Sequence, residues 1–363
     1  MSEWKEYKLG QICDVRDGTH DSPKESHDGY PLVTSKNIKN GVIDISNTYL
    51  ISESDYIFVN QRSKVEQWDV LFSMIGTIGE CAIVKKLPNF AIKNVGLFKT
   101  NGDRPLAEWI YYYFHSQQAQ NEISACVKGS TQQYISLTDL RNFPIEIPSR
   151  ERQQHILSIL TSLDDKVDLL NRENATLEAM AETLFRQWFI EEAKEDWEEG
   201  KLGDLIEVKY GKDHKKLNDG TFPVFGSGGI MRYAESAIYD KESVLIPRKG
   251  SLNNVMYIDE PFWTVDTMFY TEMRRPNIAK FIFHFMKGQD LANMNVGSAV
   301  PSMTTEVLNN IPLDIPPQEL FDKFEKTVSV FYLKQKQNRI QIRNLLKQRD
   351  ILLPKLMSNS NII

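Results

Sequence analysis

The chain has 363 residues, 41% of them apolar and 25% charged, with a formal net charge of −6. That length predicts two or three domains rather than one, and the composition is that of an ordinary soluble globular protein. The negative balance excludes a uniformly basic coat but leaves local basic patches open.

The opening residues, MSEWKEYKLG, are charged from the third position, which argues against a secretory signal and leads us to expect a cytoplasmic protein. The best apolar run, Phe281 to Met286, is interrupted by His284, so no membrane span is expected. Cys13, Cys81 and Cys126 are odd in number and scattered, as expected of reduced, buried thiols. No cysteine or histidine pair has ligand spacing, and no metal site is expected.

In chain order, the first feature is WKEYKLGQICDVRDG from Trp4: Leu-Gly five residues after Trp, an apolar alternation, and glycine at the fifteenth position. VTSKNIKNGVIDI carries Asn40-Gly41 between apolar runs and predicts a hairpin. DVLFSMIGTIGECAIV predicts strand, glycine turn, strand, and LAEWIYYYFHSQ a short helix with a buried aromatic face. Next comes GSTQQYISLTDLRNFPIEIP from Gly129, closing on Ile145-Glu146-Ile147-Pro148.

From Ile156 the pattern changes. Ile156, Leu160, Leu163, Val167, Leu170, Asn174, Leu177, Ala181, Leu184 and Trp188 follow in unbroken alternating steps of four and three. This is a coiled-coil seam, with Ser149 as N-cap and a helix from about Glu151 to Ile190. The acidic run EEAKEDWEE (191–199) then leads into basic Lys209, Lys212, Lys215 and Lys216.

There the chain starts again. WEEGKLGDLIEVKYG from Trp197 repeats the first feature, SVLIPRKGSLNNVMYI the strand–turn–strand, IAKFIFHFMKGQ the helix, and GSAVPSMTTEVLNNIPLDIP from Gly297 the segment 168 residues before it. A second helix, expected to start at Pro317, places Phe324, Val328, Phe331, Gln335, Asn338, Ile342, Leu345, Leu352 and Leu356 on a less pure seam. Neither helix has enough apolar surface on a second face to stand alone, so each is expected to partner the other. Asn174 and Asn338 then either fix the register of that pairing or mark where another protein docks. The expected organisation is two mixed α/β modules, 1–148 and 193–316, and two coiled-coil helices, 149–192 and 317–363, in an internal repeat whose ends match and whose interiors differ.

No motif sustains a catalytic reading. Asn142-Phe143-Pro144 and Asn310-Ile311-Pro312 lack the adjacent prolines of amino-methyltransferase motifs, and Gly226-Ser227-Gly228-Gly229 lacks the Lys-Ser/Thr of a P-loop. Glu207-Val208-Lys209 has nuclease-like spacing without its acidic partner. The loops instead set Lys, Arg, Asn, Gln, Ser and Thr beside glycine, side chains that bond base edges, with a backbone able to approach phosphates.

In the first module the candidates for DNA contact are Ser35, Lys36, Asn37, Gly76, Thr77, Gly79, Lys93 and Asn94, then Ser130, Thr131, Gln132, Gln133 and Tyr134. In the second they are Lys212, Ser227, Gly228, Gly229, Arg248, Lys249, Gly250, Ser251, Asn253, Asn254, Asp266, Ser298 and Ser302.

Through the doubled segments at Gly129 and Gly297, their helices ending LFRQWF and LLPKLM, and the stretch PVFGSGGIMRYAESAIYDKESVLIPRKGSLNNVMYIDEPFWTVDTMFY, essentially the whole chain resembles the specificity subunit of type I restriction–modification systems. The resemblance implies two target-recognition domains, each binding one half of a bipartite, asymmetric site on double-stranded DNA. It also implies that the two long helices pack antiparallel and set the spacing, that the halves are related by a pseudo-two-fold, and that two methyltransferase subunits and restriction/translocase subunits dock. It implies no cofactor and no catalysis in this chain; S-adenosylmethionine, ATP and magnesium belong to the partners. The alternative is a coiled-coil protein-interaction scaffold without DNA specificity.

Overall fold

The repeated sequence ends do a repeated structural job. In the computed structural model, which describes residues 4–46, 48–129, 133–294 and 302–358, Lys5–Lys8 pairs antiparallel with Pro144–Ile147. Glu198–Lys201 pairs with Pro312–Ile315 in the same register. Each pair is locked by the same bonds. Leu9 N donates to Phe143 O and Leu202 N to Ile311 O, both at 2.9 Å. Lys8 Nζ reaches Asn142 Oδ1 at 3.0 Å and Lys201 Nζ reaches Asn310 Oδ1 at 2.9 Å. The Asn-aromatic-Pro and Asn-Ile-Pro segments therefore serve as clasps that close each module.

Beyond the clasp, each module builds a four-stranded antiparallel sheet. The first has the order Asp14–Asp17, Val95–Lys99, Val70–Ser73, Cys81–Ile83, and the second the order Ile206–Tyr210, Met268–Met273, Ser243–Pro247, Met256–Ile258. A three-stranded sheet accompanies each, its middle strand antiparallel to one neighbour and parallel to the other: Leu32 beside Ala91 in the first module, Val224 beside Trp263 in the second. The glycine that ends each opening motif sits where two backbones nearly touch. A Cβ on Gly18 would lie 2.5 Å from Ile92 O, and one on Gly211 would lie 2.1 Å from Val265 O. No side chain fits there.

The hairpin at Asn40-Gly41 forms, with both residues at positive φ (51° and 77°). The aromatic stretches form helices Arg104–Phe114 and Ala279–Lys287, which bury most of their rings. Helix Glu53–Ser63 and both three-stranded sheets were not expected from sequence.

The long helices run Arg150–Arg186, continued by a π-helical turn Gln187–Glu191, and Gln318–Leu356. Ser149 Oγ lies 3.5 Å from Arg152 N at the first helix's start. The second begins one residue after Pro317, whose carbonyl accepts from Leu320 N at 3.0 Å, so the proline caps the helix rather than opening it.

The chain divides into two compact units, Met1–Leu170 with Ile340–Ile363, and Asn171–Arg339, so each unit takes half of both helices. In the first unit, Leu157 and Leu160 share a core with Leu353 and Met357 while Asp164 meets Arg349 at 3.1 Å. In the second, Phe185 and Trp188 meet Phe324, and Asn174 meets Gln335 and Asn338. Within both units the helix halves therefore run antiparallel.

The long helices also bury some residues outside the seam, in the modules. Leu157 enters the first module's core, and Phe185 and Phe189 pack against Phe281 in the second, the latter edge to face. Each such ring contributes roughly 1.5–3 kcal/mol by leaving water.

Candidate nucleic-acid interface

Strand register decides which loops meet. In the first module Val95 opposes Ser73, Gly96 opposes Asp17, and Phe72 opposes Cys81. The loop after Asp17, the Lys93-Asn94 link and the turn holding Gly76, Thr77 and Gly79 therefore all leave the same end of the sheet. In the second module Tyr210 opposes Phe269, Pro247 opposes Met268, and Leu245 opposes Met256. The equivalent end gathers Lys212, the Asp266-Thr267 link and the loop Arg248–Asn254.

The repeat extends to single bonds. Ile135 N donates to Met74 O at 3.0 Å, and Met303 N, 168 residues on, donates to Arg248 O at 2.9 Å. Beside them Ile75 bridges Tyr134, and Lys249 bridges Ser302. The same backbone position thus holds Met74, buried in the core, in one module and half-buried Arg248 in the other.

In the first module Gly76 and Gly79 hold positive φ, and Ser73 Oγ donates to Thr77 O across the turn, leaving the Thr77 side chain exposed. Gln133 and Tyr134 are exposed beside it. The neighbouring Lys128 bonds Asp139 at 2.6 Å and holds that carboxyl below the usual carboxylate range. Ser130, Thr131 and Gln132 lie outside the described residues, as does Ser298 in the second module.

Ser35 and Asn37 need correction as base contacts. Both are buried: Ser35 Oγ bonds Asn94 O, and Asn37 Oδ1 accepts from Thr34 N and Oγ1 at 2.9 Å, closing the turn. Of that run only Lys36 is presented to solvent. Lys93 reaches Ser22 Oγ at 2.5 Å. Asn94 sits at φ 53°, where asparagine is tolerated.

In the second module an open cleft of about 550 Å³ is lined by Ser227, Gly228 and Asp266, together with Asp213, His214, Lys215, Met231 and Thr267, which sequence reasoning missed. Arg248 stands at its edge, its guanidinium 5.3 Å from the centre of the Tyr210 ring and its Nη1 3.4 Å from Asp266 O. Gly250, at φ 84°, lies so close to Ser227 Oγ that a Cβ would come within 2.8 Å. Asn254 Nδ2 donates to Ser227 O and Asn253 Oδ1 accepts from Ala292 N, so both amides are partly engaged in shaping the loop. Lys212, Lys249 and Ser251 are exposed, and Gly229 opens the adjoining strand.

The helix seam shows a parallel economy of side chains. Ile156, Leu160, Leu170 and Ala181 are buried, and Leu163, Val167, Asn174, Leu177, Leu184 and Trp188 are half-buried. On the second helix Phe324, Val328, Gln335 and Asn338 are buried, and Phe331, Ile342, Leu345 and Leu352 half-buried. Arg349 fills the step between Leu345 and Leu352, so the alternation is complete and its apparent impurity is an ion pair with Asp164. Asn338 Nδ2 donates to Asn174 Oδ1 and Glu173 Oε2, while Gln335 Nε2 donates to Asn174 O.

Among the described residues no group of carboxylates, histidines and cysteines could hold a metal ion, and Glu207 is paired with Lys209. Among the described residues no helix is long and apolar enough to cross a membrane.

Comparison with known proteins follows this doubled geometry. The profile of the family described as "Type I restriction modification DNA specificity domain" matches residues 1–179 and again 194–349. The chain belongs to this family. It is 24% identical to the type I restriction enzyme MjaIX specificity subunit of Methanocaldococcus jannaschii, over 98% of this chain and 93% of that one. It is 28% identical to the HindI specificity subunit of Haemophilus influenzae over 53% of this chain and 42% of that one. The crystal structure of a type I restriction–modification S subunit from M. genitalium shares the fold, with a TM-score of 0.59 at 19% identity, covering 99% and 97% of the two chains. As a type I restriction–modification specificity subunit, this chain has the two mixed α/β modules and two long helices that its repeated sequence predicts.

Proposed function

We propose that this specificity subunit reads a bipartite, asymmetric site on double-stranded DNA, one half-site per module, and docks two methyltransferase subunits and restriction/translocase subunits without catalysing either reaction. One observation carries the reading. Equivalent loops leave the equivalent end of equivalent sheets, yet carry different side chains, Ile75 against Lys249 and Lys93-Asn94 against Asp266-Thr267. A duplicated frame with non-duplicated tips suits two different words. Exposed Lys36, Lys212, Lys215 and Lys249 would meet phosphates, and Arg248 a guanine edge. The partners would bring S-adenosylmethionine, ATP and magnesium; no residue described here is assigned to them.

The test is binding by the chain assembled with its methyltransferase subunits. A duplex carrying both half-sites should bind tightly, with log affinity falling linearly in log salt concentration, and altering either half-site should weaken it. Equal affinity for scrambled DNA would support the scaffold alternative. Methylation or cleavage by the purified chain alone would show an enzyme instead.

A further inference from the structure

Beside the sheet end of the first module, Asn94 ends a chain of four polar side chains whose other three members the sequence did not single out. Arg62 bonds the carboxylate of Asp17, which is buried at 4% exposure. Asp17 Oδ2 lies 2.9 Å from His20 Nε2, and His20 Nδ1 lies 2.8 Å from Asn94 Oδ1. Asn94 Nδ2 has no hydrogen-bond partner among the described residues, and the Asn94 backbone is fixed by bonds from its N to Thr19 O and from Ser35 Oγ to its carbonyl.

The polarity of this chain is directional. Arginine only donates and an ionised carboxylate only accepts, so His20 Nε2 must carry a proton toward Asp17. What Nδ1 does then depends on the charge of the ring. With two protons Nδ1 donates, Asn94 turns its oxygen inward as seen here, and the outward group is the NH₂ donor. With one proton Nδ1 accepts, the Asn94 amide meets it by turning over, and the outward group becomes the carbonyl acceptor. Asp21, next to His20 in sequence, is bonded by Thr19, and Lys93, next to Asn94, is held by Ser22.

We infer that His20 is a positioning residue that sets whether Asn94 offers a donor or an acceptor to the DNA, so that base preference at one position of the first half-site inverts with the protonation of His20. The inference rests on the DNA-reading function proposed above and adds to it a named side chain and a switch in what it reads. A donor suits purine N7, guanine O6 or thymine O4, and an acceptor suits the amino groups of adenine or cytosine.

The experiment uses the full chain with its methyltransferase subunits and duplexes in which each base pair of the first half-site is replaced in turn, including 7-deazapurines that remove the N7 acceptor. Relative affinities are measured at pH 5.5 and pH 8. The expected result is one position at which the preferred base changes, by about tenfold in relative affinity, between the two pH values. In His20→Ala the sequence preference elsewhere persists and the inversion disappears. In Asn94→Asp, acceptor-only near neutral pH, the pH 8 preference is retained. Ratios between duplexes are read, so a general change of affinity with pH does not enter. Identical preferences at both pH values with half-site specificity intact, or an inversion that survives in His20→Ala, would overturn the inference and leave the DNA-reading function standing. Absence of any sequence preference at either pH would overturn both.

Discussion

At the scale of single residues, the tips of the two modules separate into side chains that build loops and side chains left to contact something else. Arg248 belongs to the second group: among the described residues its guanidinium rests on the Tyr210 ring and bonds one backbone carbonyl, that of Asp266. Arg248→Ala should cost about 1–3 kcal/mol of binding and relax discrimination at one base pair only, measured by competition with single-substitution duplexes. Uniform weakening across all sequences would make it a phosphate contact. Gly211→Ala tests the frame beneath. Its Cβ would collide with Val265 O and Thr264 O, and we expect a loss of about 2–4 kcal/mol in urea unfolding. His284 tests the core. Burial, and secondarily Lys287, pushes its pKa down to about 4 from 6.5, with Nε2 bonded to Tyr332 at 2.9 Å. The unfolded chain takes up this proton near pH 6.5 and the folded chain only near pH 4. Stability should therefore fall as pH drops through that window, by up to about 3 kcal/mol. His284→Asn should lose that part of the slope; an unchanged slope would show that other groups carry it.

Residue roles were the least legible in the sequence. Ser35 and Asn37 have the chemistry of base readers, but short polar side chains close turns equally well, and here they do. His20 was passed over because a lone histidine has no motif. Its partners Asp17, Asn94 and Arg62 are brought to it by strand register and a helix, which composition does not reveal.

At the scale of elements, the seam and the clasps were legible because each is forced by a local rule. Heptad spacing follows from helix geometry, and the recurring closing glycine follows from backbones that come too close for a side chain. The three-stranded sheets were not legible: strands as short as Ala91–Ile92 pair in parallel with partners far away in sequence, and no alternation of two residues signals that. Arg349 escaped because a charged residue on a seam reads as a break, whereas Asp164 completes it. The polar layer of Asn174, Gln335 and Asn338 joins the helix halves in the second unit, and a role in fixing their register can be tested directly. Replacing Asn174, Gln335 and Asn338 together by Leu should leave helix content unchanged or raise thermal stability while loosening register, read as broadened amide spectra or mixed cysteine cross-links across the pair. A single Asn338→Leu, which strands Asn174 and Glu173, should cost about 1–3 kcal/mol.

At the scale of the whole molecule, two frames of one design with different tips, and two continuous helices shared between the units, suit a subunit that supplies address rather than chemistry. The first long helix of 37 residues is roughly 55 Å long at 1.5 Å per residue. If it sets the gap between half-sites, one added helical turn beside Ala175 should lengthen the preferred gap by about one or two base pairs, since a turn rises roughly 5.4 Å against 3.4 Å per base pair. Selection from a library of randomised gaps would read this, and an unchanged gap would remove the helices' role as spacer.

The most direct measurement is genome-wide mapping of modified adenines in cells with and without this gene. The account predicts that one motif disappears, composed of two unlike short words separated by a fixed unspecified gap, and that Arg248→Ala degrades only one of the two words. A single contiguous motif, a palindrome, or a methylation pattern indifferent to the gene would contradict it.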